Sequence, residues 1–588
     1  LKRDCCAPEK LFAVRLWEMD TLNSRKIFAL ILILGAAIAP VGGQTPTHHG
    51  GTSQRSSAKA PASSSNSREW PGVAAFRAKV EKILGATDVN RGYWGMLVED
   101  ADSGEVLYSL NADRYFLPAS NAKLFTAALT LATLGSDYCF HTTIESRARV
   151  ESDGVLQGDL VLVGRGDPNL SNRIFPFGKK TERDGPPEKI LAELADAVVS
   201  RGVKKISGDV IGDDSYFAGG AYPSGWAIDD MLWSYGVPVS ALEVNDGIFF
   251  LELQAGETAE APATYTVAPS TNIYQIRNEV VTGAKGSPQK LSVSREPGST
   301  LIIVSGSMPV GAQPHSMGIA IDRPAEFAAA LLKSLLEARG VVIDGRARAR
   351  HTGDDGAWYR ADGNSVMSDI ESHACGVDAG FWSLQSGGAT HLEASPQVFA
   401  GHVSLPIPDA LRVMAKISQN LHAEMFLRTA ARQKTGDPSA DAALQFELDF
   451  RVGIGLKEDD VVMSDASGLS RKDMVSPQSE VSLLRWVTEQ PWAATFRSVL
   501  PVAGEDGTLM DRMKKTPAAG NVWAKTGSLT HVDSLAGYAT SMHGAHLVFS
   551  FIVNNHNLKP KAATDALDAL TVAMVEELGP RRAVPAHK

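Results

Sequence analysis

This chain of 588 residues is poor in cysteine, with four in all, and its histidines and cysteines form no cluster with metal-ligand spacing. The pair His48-His49 sits in a polar tract and has no third or fourth ligand near it, so no metal is expected. Basic excess is also missing. The formal charge is −10, which argues against nucleic acid as a main partner. The N-terminal apolar stretch Ile27–Ala39 is shorter than the about 20 residues that span a bilayer. It follows Arg25-Lys26 and ends in small residues, the pattern of an export signal. A cleaved signal peptide over 1–43 and a retained anchor both stay open, as does peripheral membrane contact. Met19 lies just ahead of the basic pair, so residues 1–18 read as a misassigned start or a long leading region. Cys5 and Cys6 precede this stretch and leave with it. Cys139 and Cys375 remain and could pair in an oxidising compartment, although sequence sets no distance between them.

What is present is ordinary globular material, 44% hydrophobic, in a chain too long for one core. Residues 44–68 are rich in Ser, Thr, Gly and His without periodicity and read as a disordered tether. An amphipathic helix is predicted over Val73–Leu84, ended by Gly85, then a hairpin around Ser103-Gly104. Late in the chain, Ser534–Thr540 and Leu547–Val553 read as strands. Ala562–Leu578 reads as a helix stopped by Gly579-Pro580. Between these halves, residues 146–402 are rich in Val, Ile, Thr and Gly and read as mostly β.

Three short motifs carry chemistry. Ser120-Asn121-Ala122-Lys123 follows Leu117-Pro118-Ala119 and leads an apolar helical run, which puts Ser120 and Lys123 on one face. A serine hydroxyl becomes a nucleophile when a neutral amine can take its proton. Partial burial and the nearby Lys525 are expected to keep Lys123 neutral. Ser418-Gln419-Asn420 sits inside a helical pattern with apolar residues at 411, 414, 417, 421 and 425. Its Ser and Asn can share a cleft only if the backbone turns there. Lys525-Thr526-Gly527-Ser528 lies in strand context, where Gly lets another backbone approach. Each motif has decoys: Ser56–Lys59, Ser287–Lys290, Ser64–Asn66, Ser270–Asn272 and Lys434-Thr435-Gly436, the last in a helix-ending context. Order and context together separate the working set.

The set Ser-x-x-Lys, Ser-x-Asn, Lys-Thr-Gly, with 298 positions from Ser120 to Ser418 and 107 from there to Lys525, resembles the penicillin-interacting serine acyl transferases. Within them it is similar to the D-alanyl-D-alanine carboxypeptidase/endopeptidases with a large insertion, peptidase family S13, the low-molecular-mass class C type. Further stretches resemble that family: Leu162–Leu170, Ser207–Phe217, Tyr235–Asp246, Asp465–Arg471 and Leu500–Leu509. Gln419 stands where the family often has Asp and Ser528 where Thr is frequent; neither removes a catalytic group.

The resemblance implies an α+β fold, with a β-lactamase/transpeptidase-like catalytic domain of antiparallel sheet and flanking helices. That domain is expected over 69–145 and 403–588, an inserted β-rich domain over 146–245 and 321–402, and a nested subdomain over 246–320. Residues 353–402 look like an extra surface segment. The implied activity is hydrolysis beside a D-alanine of peptidoglycan through an acyl-serine, blocked by β-lactams, in the periplasm or cell envelope and without a cofactor. Ser120 is then the nucleophile, Lys123 the base and Ser418 a proton relay. Asn420 holds the acyl side chain, and Lys525 and Thr526 bind the terminal carboxylate. Gly527 opens the backbone, and the amides of Ser120 and Ser528 form the oxyanion hole. A β-lactamase or esterase on the same fold is the alternative, and a catalytically idle wall-binding protein a more distant one. Oligomeric state is unknown from sequence.

Overall fold

A computed structural model describes residues 70–87, 89–174, 183, 185–354, 375 and 396–580. The expected signal, the tether, His48-His49 and most of the extra segment lie outside the described residues. Five strands form an antiparallel sheet in the order β17-β18-β19-β1-β2. They are β1 (Tyr93–Asp100), β2 (Val106–Leu110), β17 (Val522–Leu529), β18 (Val532–Thr540) and β19 (His546–Asn554). Strand alternation sorts their side chains to two cores. Leu97, Val548 and Ile552 face helices α2 (Lys123–Leu134), α5 (Ile407–Lys416), α6 (Asn420–Thr435), α7 (Ala440–Gly453), α8 (Pro477–Thr488) and α9 (Ala493–Val499). Met96, Val98, Phe549, Phe551 and Val553 face α1 (Val73–Leu84) and α10 (Pro560–Glu577). Those two terminal helices pack together, with Lys79 Nζ 2.7 Å from Glu576 and 2.6 Å from Glu577. Helices α2 and α6 are the innermost. Residues 123–131 and 420–432 are buried without interruption, as expected of helices enclosed by other elements.

The insertion leaves and returns at one place. Strands β3 (His141–Ser146) and β16 (Gln397–Val403) run antiparallel, with His141 opposite Val403. The expected boundary at 145/146 therefore runs through β3, and the base of the insertion is at His141. Its main sheet has the order β15-β7-β5-β3-β16, with β5 (Leu160–Val163), β7 (Val210–Asp213) and β15 (Ala347–Arg350) parallel. Parallel neighbours need long crossovers. The helices α3 (Lys189–Ser200) and α4 (Pro324–Glu337) lie in those crossovers, their apolar faces built from Ile190, Leu194 and Val198 and from Phe327, Leu331 and Leu332. These two helices were not anticipated, although their periodicity is in the sequence. A small sheet of β4 (Val155–Leu156), β6 (Lys205–Ile206) and β14 (Val342–Ile343) continues it.

The nested part also begins and ends at one point, because Ile248 pairs with Ala320. It holds β8 (Ile248–Gln254), β9 (Thr264–Ala268) and β13 (His315–Ala320) in one sheet. A second sheet holds β10 (Gln275–Gly283), β11 (Lys290–Ser294) and β12 (Leu301–Pro309). Among the described residues no helix is long and apolar enough to cross a membrane.

Cys139 and Cys375 are joined in a disulfide with a Cα–Cα distance of 5.4 Å. Alkylation of the denatured but unreduced protein should leave both unmodified, and prior reduction should expose both. Peptide mapping that finds either one alkylated before reduction would rule the bond out.

Candidate active site

The Ser120 turn is a 3-10 segment, Ala119–Ala122, that passes directly into α2. Pro118 restricts the chain on its approach, and Ala119 takes a left-handed φ of 49°, an uncommon conformation for a residue with a side chain. Lys123 opens the α-helix, so its side chain folds back along the axis over Ser120. Lys123 Nζ lies 2.9 Å from Ser120 Oγ, 2.6 Å from Asn420 Oδ1 and 2.6 Å from the Ser467 carbonyl. Three distant chain segments therefore meet on one nitrogen.

Each segment is held independently. The second motif sits where α5 stops and α6 begins, and Ser418 adopts a left-handed φ of 62°. That is the backbone turn the motif needs to aim Ser418 and Asn420 into one cleft. The Gln419 side chain accepts from the Leu421 amide and caps α6. The carbonyl of Ser467 is presented by a loop wrapped around Asp465. That carboxylate accepts from the amides of Ser467 (3.2 Å), Gly468 (2.7 Å) and Ser470 (2.9 Å), from Ser467 Oγ (2.9 Å) and from Trp226 Nε1 (2.8 Å). Gly468 is forced by closeness. A Cβ there would lie 1.8 Å from the Ala119 carbonyl oxygen. Behind Ser120, buried Glu480 accepts from Asn121 Nδ2 at 3.2 Å and from Ser550 Oγ at 2.6 Å, pinning the turn to β19.

The third motif runs along β17, the edge strand facing this turn. Lys525 is fully buried, with Nζ 2.9 Å from Ser418 Oγ and 2.6 Å from the Thr526 carbonyl. Thr526 Oγ1 is 2.8 Å from Thr508 Oγ1. Ser528 is exposed at the mouth and its hydroxyl donates to Asp533 at 2.6 Å. The decoy Lys434-Thr435-Gly436 ends α6 with Gly436 in a left-handed cap, far along the chain from this strand.

Electrostatics follow from this burial. Loss of water lowers Lys123 to about 7, and the nearby carboxyls of Asp465, Glu424 and Asp473 resist that shift. Burial was expected to lower Lys123 and does, whereas the expected contribution of Lys525 does not appear among the causes. Burial is complete rather than partial, and the effect of one lysine on the other shows on Lys525. That ammonium is pushed well below its ordinary value by burial and then by the Lys123 charge. Burial raises Glu424 to about 8, and Asp465 adds to the rise. Asp473 is held well above the carboxylate range by burial beside Asp465.

The structure brings the eight predicted site residues close together, and Asn420 differs in its partners. Both ends of its amide are engaged, the oxygen by Lys123 and the nitrogen by the Tyr235 carbonyl at 2.8 Å. It positions the lysine, with one amide hydrogen left for a ligand. Thr508, Glu424, Asp465 and the Ser467 carbonyl were missed as individual groups. Thr508 and Asp465 fell inside stretches noted for family resemblance. Tyr235 and Trp226 come from the insertion, so that part of the chain completes one wall. Among the described residues no group of three or more His, Cys, Asp or Glu side chains is arranged to hold a metal.

Gly527 is the tightest contact between the first and third motifs. A Cβ there would lie 2.2 Å from Ser534 Oγ, 2.7 Å from the Pro118 carbonyl and 2.9 Å from the Ser120 amide nitrogen. Gly527→Ala should slow labelling of Ser120 by a sulfonyl fluoride at least about tenfold, because the added Cβ displaces the Ser120 turn and its amide. Labelling at the unaltered rate, read by intact mass, would show that the two backbones can separate without cost.

Comparison with known proteins places this geometry. The D-Ala-D-Ala carboxypeptidase 3 (S13) family matches residues 76–358 and 384–574. The interval between the two stretches falls inside the segment expected to be extra. A D-alanyl-D-alanine carboxypeptidase of Actinomadura sp. (strain R39) is 32% identical over 514 residues, covering 86% of this chain and 85% of the relative. The D-alanyl-D-alanine carboxypeptidase DacB of Haemophilus influenzae is 24% identical over 470 residues, 79% of this chain and 85% of its own. The crystal structure of penicillin binding protein 4 from Haemophilus influenzae shares the fold, with TM-score 0.67 and 22% identity, over 84% of this chain and 98% of that one. Because the match runs on both sides of the insertion and through all three motifs, the chain belongs to the D-Ala-D-Ala carboxypeptidase 3 (S13) family.

Proposed function

We propose that this protein is a serine D-Ala-D-Ala carboxypeptidase with endopeptidase capacity, acting on peptidoglycan stem peptides and crosslinks through an acyl-serine. The observation that carries the reading is the Lys123 amine, buried, lowered to about 7 and 2.9 Å from Ser120 Oγ. Ser120 attacks the carbonyl on the N-terminal side of the terminal D-alanine. Its proton passes to Lys123, which Asn420 and the Ser467 carbonyl keep in line. The amides of Ser120 and Ser528 receive the developing oxyanion. Ser418, in contact with Lys525, returns a proton to the departing amine, which breaks the peptide bond. Water then attacks the ester and releases the acyl group, restoring Ser120. Lys525, with the Thr526 and Thr508 hydroxyls beside it, forms the seat for the substrate carboxylate. The relatives' names support a carboxypeptidase and the bonded cysteines fit an oxidising compartment. The reading therefore includes export by the N-terminal segment to the periplasm or cell envelope, and β-lactams as acylating inhibitors.

Incubation with a penicillin should add the mass of one drug molecule to the protein and none to Ser120→Ala. Rapid drug loss without an adduct would favour a β-lactamase, and neither adduct nor loss a wall-binding protein. The acylation rate constant should rise about tenfold per pH unit below pH 7 and level off above it, because only neutral Lys123 accepts the proton. An inflection in the ordinary carboxylate range would assign the base to an acid instead.

A further inference from the structure

The parallel strands β7 and β15 end at a cavity whose lining includes no residue of the three motifs. In sheets of this kind the crevice beyond the carboxyl ends of parallel strands is where ligands bind. The cavity measures about 470 Å³ and is lined by Asp214 just after β7, His351 and Thr352 just after β15, Asp322 before α4, and Arg428 of α6. The first turn of α4 borders it as well.

Most of these groups are already partnered. Asp214 Oδ1 lies 2.7 Å from His351 Nδ1, and Asp214 Oδ2 accepts from Ser240 Oγ at 2.8 Å. Thr352 Oγ1 is within hydrogen-bond reach of the Ser215 and Phe217 carbonyls. Two groups of opposite charge keep hydrogen-bonding capacity, Arg428 on its guanidinium and Asp322 on Oδ2. Arg428 is 6% exposed, yet its guanidinium makes one hydrogen bond, donated to the Gly220 carbonyl at 2.7 Å, and no ion pair among the described residues. A guanidinium has five N–H donors, and burying one without a counter-ion is costly. Asp322 accepts the Tyr274 hydroxyl on Oδ1, has Arg295 Nη1 3.8 Å from that same oxygen, and leaves Oδ2 without a hydrogen bond among the described residues.

We propose that this cavity binds a small zwitterion of the α-amino acid class, its carboxylate on Arg428 and its ammonium on Asp322. A carboxylate matches the planar donor fork of arginine, and an ammonium supplies a charge-assisted donor to the open Oδ2 of Asp322. The helix α6 links this site to the catalytic one. Asn420, Glu424 and Arg428 follow one another at intervals of four residues on one face, so the two sites are about 12 Å apart along the axis. The field of Arg428 acts on the Glu424 carboxyl. Nothing in this assignment depends on which substrate Ser120 attacks.

The test is calorimetric titration of the full chain with D-alanine, acetate and ethylamine separately. One D-alanine should bind per chain, more tightly than either single-charge probe. Arg428→Gln should weaken it at least about tenfold and Asp322→Asn should weaken it too, while Lys525→Ala leaves it unchanged. Asp322→Asn carries the test if Arg428→Gln does not fold. Loss in Lys525→Ala with retention in Arg428→Gln would place the binding in the Ser120 cleft and overturn the proposal. So would acetate binding as tightly as D-alanine, or no heat from any probe.

Discussion

The structure turns on one buried amine. Lys123 Nζ is held by Ser120 Oγ, Asn420 Oδ1 and the Ser467 carbonyl, and each comes from a different part of the chain. An ammonium so placed loses its water, so the fold must either bring counter-charge or let the proton go. The protein does some of each. Acids lie close enough to resist the shift, but two of the three are themselves driven toward their neutral forms by the same burial. The result is an amine that changes state near neutrality. The surrounding architecture reads as the means to hold that balance: β17 pressing on the nucleophile turn, the Asp465 loop backing it, and Glu480 beneath.

The insertion belongs to this balance. Trp226 donates to the carboxylate that shapes the Ser467 loop, and the Tyr235 carbonyl receives the amide of Asn420. Ser470 Oγ and Lys472 Nζ add further contacts from the loop, to the Ser224 carbonyl and to Ser224 Oγ. Two of the three groups on Lys123 are therefore oriented through residues that a compact catalytic domain alone would not contain. The stretch inserted in the sequence is a structural partner of Lys123.

Much of this was legible before any coordinates. The three motifs are short, each has its own local context, and helix starts and hairpin strands declare themselves by periodicity and turn residues. Ser120, Lys123, Ser418 and Lys525 could be named on that ground. The polar groups that make Lys123 work could not. A backbone carbonyl such as that of Ser467 has no residue signature, and Glu424 looks like any acid on an amphipathic helix until its surroundings are known. Burial was foreseen as a cause of the Lys123 shift but its completeness was not, since that is a property of packing and sequence gives only the neighbours. Strand order in the insertion was hidden too. The sequence 15-7-5-3-16 depends on long-range pairing, and β3 was split because nothing local marks His141 as the point where one sheet hands over to another.

The disulfide has a consequence for the connectivity of the molecule. The catalytic domain is assembled from two stretches that the polypeptide joins only through the long excursion of the insertion. Cys139 closes the first stretch just beyond α2, and Cys375 lies shortly ahead of β16, where the chain comes back. The cross-link is thus a second, much shorter route between the two halves. A single peptide-bond break anywhere from Cys139 to Cys375 leaves Ser120 on one fragment and the second and third motifs on the other, still covalently one molecule. The route through the insertion can be opened without parting the halves of the site it serves.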